Sequence, residues 1–178
     1  MFKSVREQRR GPNPEEVAIL FNLVGQSVWY LQHLEDALST SIAMKRDIKM
    51  RGSVSEAKMH EILRKHRRRT LGDSVNVAKK AKIYAENIQN RLDDFLKERN
   101  WLIHRLIHEN GDDMNLNDKR EKLFLRVEMF VDEAKNLQKE IGEDLINFAA
   151  SQGVSPAWVE AYAQEQFDKS RGREAVQD

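Results

Sequence analysis

Apolar residues recur along most of this chain at alternating spacings of three and four, the period of a helix with one buried face. The clearest case is residues 92–108, where Leu92, Phe95, Leu96, Leu102, Ile103, Leu106 and Ile107 share one broad apolar stripe. Arg99 falls at the centre of that stripe. Asn100 and His104 lie one turn apart along its edge, His108 continues their row toward solvent, and Trp101 projects from the opposite side. The pattern predicts a helix from about Ala85 to Gly111. An arginine aimed at a core or an interface needs a carboxylate or phosphate beside it, because the guanidinium cannot shed its proton to escape burial.

A first helix is expected from the cap Asn13 and Pro14 to about Lys49, with Val17, Leu20, Phe21, Val24, Val28, Leu31, Leu38 and Ile42 as its apolar stripe. It too carries a charged intruder, Glu35, flanked by Leu31, Leu34 and Leu38. A buried anion on one helix and a buried cation on another invite pairing, so Glu35 is the expected charge partner of Arg99. Ser53 and Glu56 predict a capping box for a shorter helix through Leu63, which runs into the basic stretch of residues 64–69. That stretch reads as a solvated surface or as a phosphate contact. Thr70 and Gly72 mark a fresh start, with Val75, Ala78 and Ala81 forming a weak stripe that leaves helix and irregular structure both open. A polar loop is expected over residues 111–118. Beyond it Leu123, Val127, Phe130, Ala134, Leu137, Ile141, Leu145 and Phe148 mark a long helix packed along its length. Gly153 breaks that helix, and Ser155 and Pro156 start a short final one containing Trp158, Val159, Tyr162 and Phe167. No strand pattern and no internal repeat is visible. The expected fold is all-α, an up-and-down helical bundle with a short extra C-terminal helix. The expected organisation is a flexible basic arm over 1–12, a bundle domain over 13–152, the C-terminal helix over 153–169 and a disordered tail over 170–178.

Composition narrows the chemistry. The 178 residues include 30 Lys and Arg against 29 Asp and Glu, a net charge of +1, so nucleic acid would have to be drawn by a local patch rather than by an overall field. With no cysteine, disulfides, thiolate metal sites and cysteine nucleophiles are all excluded. No apolar run approaches the roughly 20 residues that span a bilayer, and no signal-peptide core is seen, so the expectation is a soluble, cytoplasmic protein without a membrane partner. His104 and His108 are spaced for one metal on a helix face, but Glu109 points elsewhere and no third ligand is evident, so neither a metal site nor a cofactor is expected. No Gly-rich phosphate loop, serine nucleophile motif or hydrolase-like carboxylate pair is present.

Arg99-Asn-Trp-Leu-Ile-His104 resembles the arginine, polar residue, three residues, histidine motif of the HEPN superfamily, all-helical domains many of which are metal-independent endoribonucleases. The Thr70-Leu71-Gly72 helix start and a leading helix with Gly25 and Leu34-Glu35 also look like that group. The resemblance implies His104 as acid/base, Arg99 as phosphate clamp and Asn100 as positioner; Trp101, opposite the apolar stripe, is expected as a dimer contact or a base-stacking platform, and Arg105 and His108 as further binding residues. It implies a symmetric homodimer with a composite cleft, an RNA substrate, an antitoxin protein as a further partner, and a toxin or defence-effector role. Chemically the assignment is sound: imidazole titrates near neutrality and a guanidinium fork matches a phosphate. Two other readings compete with it. One is a non-catalytic HEPN-like module binding a nucleotide or protein partner; the other is a structural dimer in which Arg99 pairs with Glu35 to fix helix packing.

Overall fold

Asn13 starts the first helix as expected: its side chain accepts from the Glu16 backbone while Glu16 reaches back to the Asn13 N–H at 2.8 Å, a reciprocal cap that satisfies two end donors. The computed structural model describes residues 10–49, 52, 54–155 and 157. Helix α1 spans Pro14–Ile42 and runs into a π-helical segment, Ala43–Ile48, which ends at Lys49 with φ at 61°. Helix α2 spans Glu56–Arg67, α3 Leu71–Ala81, α4 Glu86–His104, α5 Leu106–Asn110 and α6 Asn117–Ser151. A 3-10 segment, Gly111–Asn115, links α5 to α6. Among the described residues there is no strand, and the fold is an all-α bundle. No described helix is long and apolar enough to cross a membrane.

The core forms where α1, α4 and α6 meet, and α3 closes one side. Leu34, Leu38 and Ile42 of α1, Val75 of α3, Leu92 and Phe95 of α4, and Val127, Phe130, Leu137 and Ile141 of α6 are its centre. The rings of Phe95 and Phe130 stack at 4.5 Å. Ion pairs give the helix directions. Glu16 meets Arg120 at 2.9 Å, the Tyr30 ring lies under Lys135, and Lys45 pairs with Asp144, so α1 and α6 run parallel. Arg126 meets Glu98 at 2.8 Å and Arg91 grips Glu133 and Glu140, so α4 runs antiparallel to both.

Several expectations are corrected. The central helix ends at His104 rather than Gly111, because Arg105 departs from helical geometry at φ −127° and ψ −14°. The expected polar loop over 111–118 is a 3-10 turn and the start of α6. Phe21, placed on the apolar stripe of α1, is 70% exposed, and Val28 is also exposed. Ser27 and Ser41 face the core in their place; the Ser27 hydroxyl donates to the Leu23 carbonyl of its own helix at 2.8 Å, which removes the cost of burying it. The cap of α2 is Ser55, not Ser53, which lies outside the described residues. Of the basic arm expected over 1–12, residues 10–12 are described, and Arg10 is held there by Glu16 and by its N–H to the Asn115 carbonyl. The short C-terminal helix over 153–169 and the tail over 170–178 fall almost wholly outside the described residues.

Candidate functional site

Helix α4 is rotationally fixed by Leu92, Phe95 and Leu102, which are buried. That rotation turns Arg99 toward the boundary between the core and solvent on the side of α1. Its Nε is buried without a hydrogen-bond partner. Its Nη1 reaches Asn100 Oδ1 at 3.2 Å and His104 Nε2 at 3.5 Å. The three motif side chains therefore converge in one cluster, with Asn100 and His104 exposed. An arginine only donates, so its contact with His104 requires Nε2 as acceptor, the neutral imidazole protonated on Nδ1. The Nε2 lone pair is held only by this 3.5 Å contact, and an anion that draws the guanidinium onto itself would release it for proton removal.

Glu35 is half-buried on α1 and faces the same region. Burial pushes its carboxyl pKa up, and the Arg99 charge draws it partly back. No hydrogen bond or ion pair joins Glu35 to Arg99, but the Arg99 charge acts on the Glu35 carboxyl, so the two are charge neighbours without direct contact. The guanidinium instead keeps donor capacity, with no carboxylate among the described residues bound to it. A half-buried guanidinium whose donors no carboxylate fills, with Glu35 near enough only to be felt, still attracts an anion.

Trp101 is corrected outright. It is only 5% exposed and cannot stack on a base or meet a partner. The break at Arg105 folds α5 and the 3-10 segment back over it. Its Nε1 donates to Asn110 Oδ1 at 3.1 Å, and the Arg126 guanidinium covers its ring at 3.5 Å. Arg105 is exposed in the break and meets Glu109 at 3.7 Å. The same break separates His104, the last residue of α4, from His108 on α5, so the two no longer share a helix face. Among the described residues no three His, Asp or Glu side chains are grouped to hold a metal ion.

Around the motif the apolar residues are turned outward. Ile103 is exposed, and Ile107, assigned by spacing to the buried stripe, is 84% exposed. On α1 the residues Phe21, Val28 and Glu35 repeat at seven-residue spacing, the first two exposed. Because α1 and α4 are antiparallel, the rows Glu35 to Phe21 and Arg99 to Ile107 run toward the same end of the bundle.

No protein-family model, curated protein or solved structure matches this chain. Three concavities lie elsewhere: about 530 Å³ on α2, about 490 Å³ between α4 and α6, and about 280 Å³ beside the start of α1. Sequence reasoning missed one cluster. His66, fully buried, meets Asp47 at 2.6 Å through Nε2 and Arg69 at 3.0 Å through Nδ1. A signal was there: Met59, Ile62, Leu63 and His66 follow the helical spacing of a buried row, although the basic neighbours of His66 make it read as surface.

Proposed function

We propose that this chain is a metal-independent, HEPN-like endoribonuclease that acts as a symmetric dimer, of the toxin or defence-effector type. The observation that carries the reading is the convergence of Arg99, Asn100 and His104 around a guanidinium with no carboxylate partner among the described residues. Such a guanidinium is a seat for the scissile phosphate, where its donors oppose the charge that grows on the phosphorane. In this mechanism the 2′-hydroxyl attacks the adjacent phosphorus while His104 Nε2 takes its proton. The bond from phosphorus to the 5′-oxygen breaks, and that oxygen takes its proton from the second copy's histidine, which starts as the imidazolium while the first starts neutral and ends protonated. The products are a 2′,3′-cyclic phosphate and a 5′-hydroxyl. Dimerisation is supported by the exposed Ile103 and Ile107 beside the motif and by Phe21 and Val28 on the same side of α1, an apolar surface that would close the open site into a cleft.

Incubation with labelled single-stranded RNA in excess chelator tests the proposal. Cutting should persist, yield cyclic phosphate ends and spare DNA of the same sequence. His104→Ala should abolish it without lowering the melting temperature, since His104 is exposed. Cutting that survives His104→Ala, or that stops on chelation, defeats the mechanism. One observation favours a second reading, a non-catalytic module for a nucleotide or protein partner: Asn100 and His104 are exposed in the single chain and line none of the three concavities described. A well-folded dimer that cuts no RNA would establish that reading instead.

A further inference from the structure

The last turn of α2 contains Arg64, Lys65, His66 and Arg67, and Arg68 caps it. A helix C-terminus attracts cations through its exposed carbonyls, but one or two suffice for that. Here the side chains divide by role. Arg67 is committed to Asp36 of α1 at 2.7 Å, and Arg69 to the buried His66. Arg64 and Arg68 are exposed and have no ion pair or hydrogen bond among the described residues. They line the concavity of about 530 Å³ together with His60, Leu63 and Arg67. The acid in its lining, Glu61, is already paired with Lys58 at 2.9 Å. The surface is therefore a basic concavity with Ala57 and Leu63 also in its lining, fit for a polyanion rather than for a cationic ligand.

Its place in the fold relates it to the Arg99 cluster. Asp36, which holds Arg67, directly follows Glu35, whose carboxyl feels the Arg99 charge. Three residues beyond Arg69, Gly72 sits so close to α4 that a Cβ there would lie 3.7 Å from the Leu96 methyls, one turn before Asn100. The end of α2 thus packs on α1 beside Glu35, and α3, which follows it, packs on α4 one turn before the motif. We infer that the α2 trough lined by His60, Arg64, Arg67 and Arg68 binds the phosphate backbone of single-stranded RNA flanking the bond presented to Arg99 and His104. The inference rests on the RNA-cutting reading for its choice of polyanion. The trough supplies what the near-zero net charge of the chain does not, a local field that holds a long substrate.

Fluorescence anisotropy with a 2′-O-methyl single-stranded RNA of about 12 nucleotides, which cannot be cut, measures the binding directly. Arg64→Ala/Arg68→Ala should weaken binding by about tenfold or more and reduce the slope of log K against log salt by about 1.4, since each phosphate neutralised by an arginine accounts for roughly 0.7. Arg64→Lys/Arg68→Lys should keep most of both, and Lys122→Ala/Lys139→Ala on α6 should change neither. Neither arginine is hydrogen-bonded or ion-paired within the described fold, so circular dichroism should show an unaltered helix content. Binding of unchanged affinity and salt slope in Arg64→Ala/Arg68→Ala overturns the inference, as does the absence of any binding. If the wild-type protein cuts RNA while that variant binds normally, the trough is discarded and the cutting reading stands. Salt-sensitive binding that the variant no longer shows, in a protein that cuts nothing, keeps the trough and discards the cutting.

Discussion

Arg99 exposes a tension between folding and activity in a single side chain. Its Nε is buried without a partner and no carboxylate is bonded to it, so it costs stability in the isolated chain. Arg99→Met should therefore abolish RNA cutting while leaving the melting temperature unchanged or raising it, a result that a structural ion pair with Glu35 would not give. Glu35 behaves in a related way. Its folded-state pKa lies above the usual 4.5, with burial outweighing the attraction of Arg99, so the folded protein holds the proton more tightly than the unfolded chain. The stability this proton confers is present below about pH 4.5 and is lost as pH rises through the elevated folded value. Thermal melts should accordingly find Glu35→Gln more stable than wild type at pH 7, with the gap closing as the pH falls toward 4.5. A wild-type protein that outlasts Glu35→Gln at neutral pH would show that the carboxylate is net stabilising.

At the level of helices, the long apolar rows were legible and the places where one helix ends were less so. The α6 positions from Leu123 to Ile141 read correctly because each apolar residue on that row meets α1 or α4, and period and burial then coincide. The end of α4 was not legible. Nothing at Arg105 breaks a helix by itself, and Leu106 and Ile107 continue the period, so the break has a tertiary cause: Asn110 and Arg126 hold Trp101 beneath α5. The motif residues were found by type and order, whereas the burial of Trp101 and the outward turn of Ile107 depended on that break. Trp101→Ala should then cost about 3–5 kcal/mol in urea unfolding, as expected for a buried large aromatic, and little if the ring were a surface platform. Arg91, which forks between Glu133 and Glu140 but is one-third exposed, should cost only about 1 kcal/mol on replacement by Ala, falling with added salt.

Taken whole, the molecule presents its motif beside an uncovered apolar surface, and the predicted remedy is a second copy. Light scattering should give a dimer at micromolar concentration. Ile103→Asp/Ile107→Asp should give a monomer of unchanged helicity that no longer cuts RNA, because both side chains lie outside the core. A stable wild-type monomer that still cuts would remove the composite site. The parallel arrangement of α1 and α6 has its own consequence, which is kinetic. Lys45 and Asp144 stand 99 residues apart in the chain, and the meeting points along these two longest helices are comparably distant. During synthesis α1 can pack on α2 and α3 but lacks its largest partner until α6 is made, so the emerging chain keeps apolar surface open to aggregation until nearly all of the bundle exists. A fragment ending at residue 115 should stay without cooperative unfolding, and a separate peptide carrying α6 should restore it.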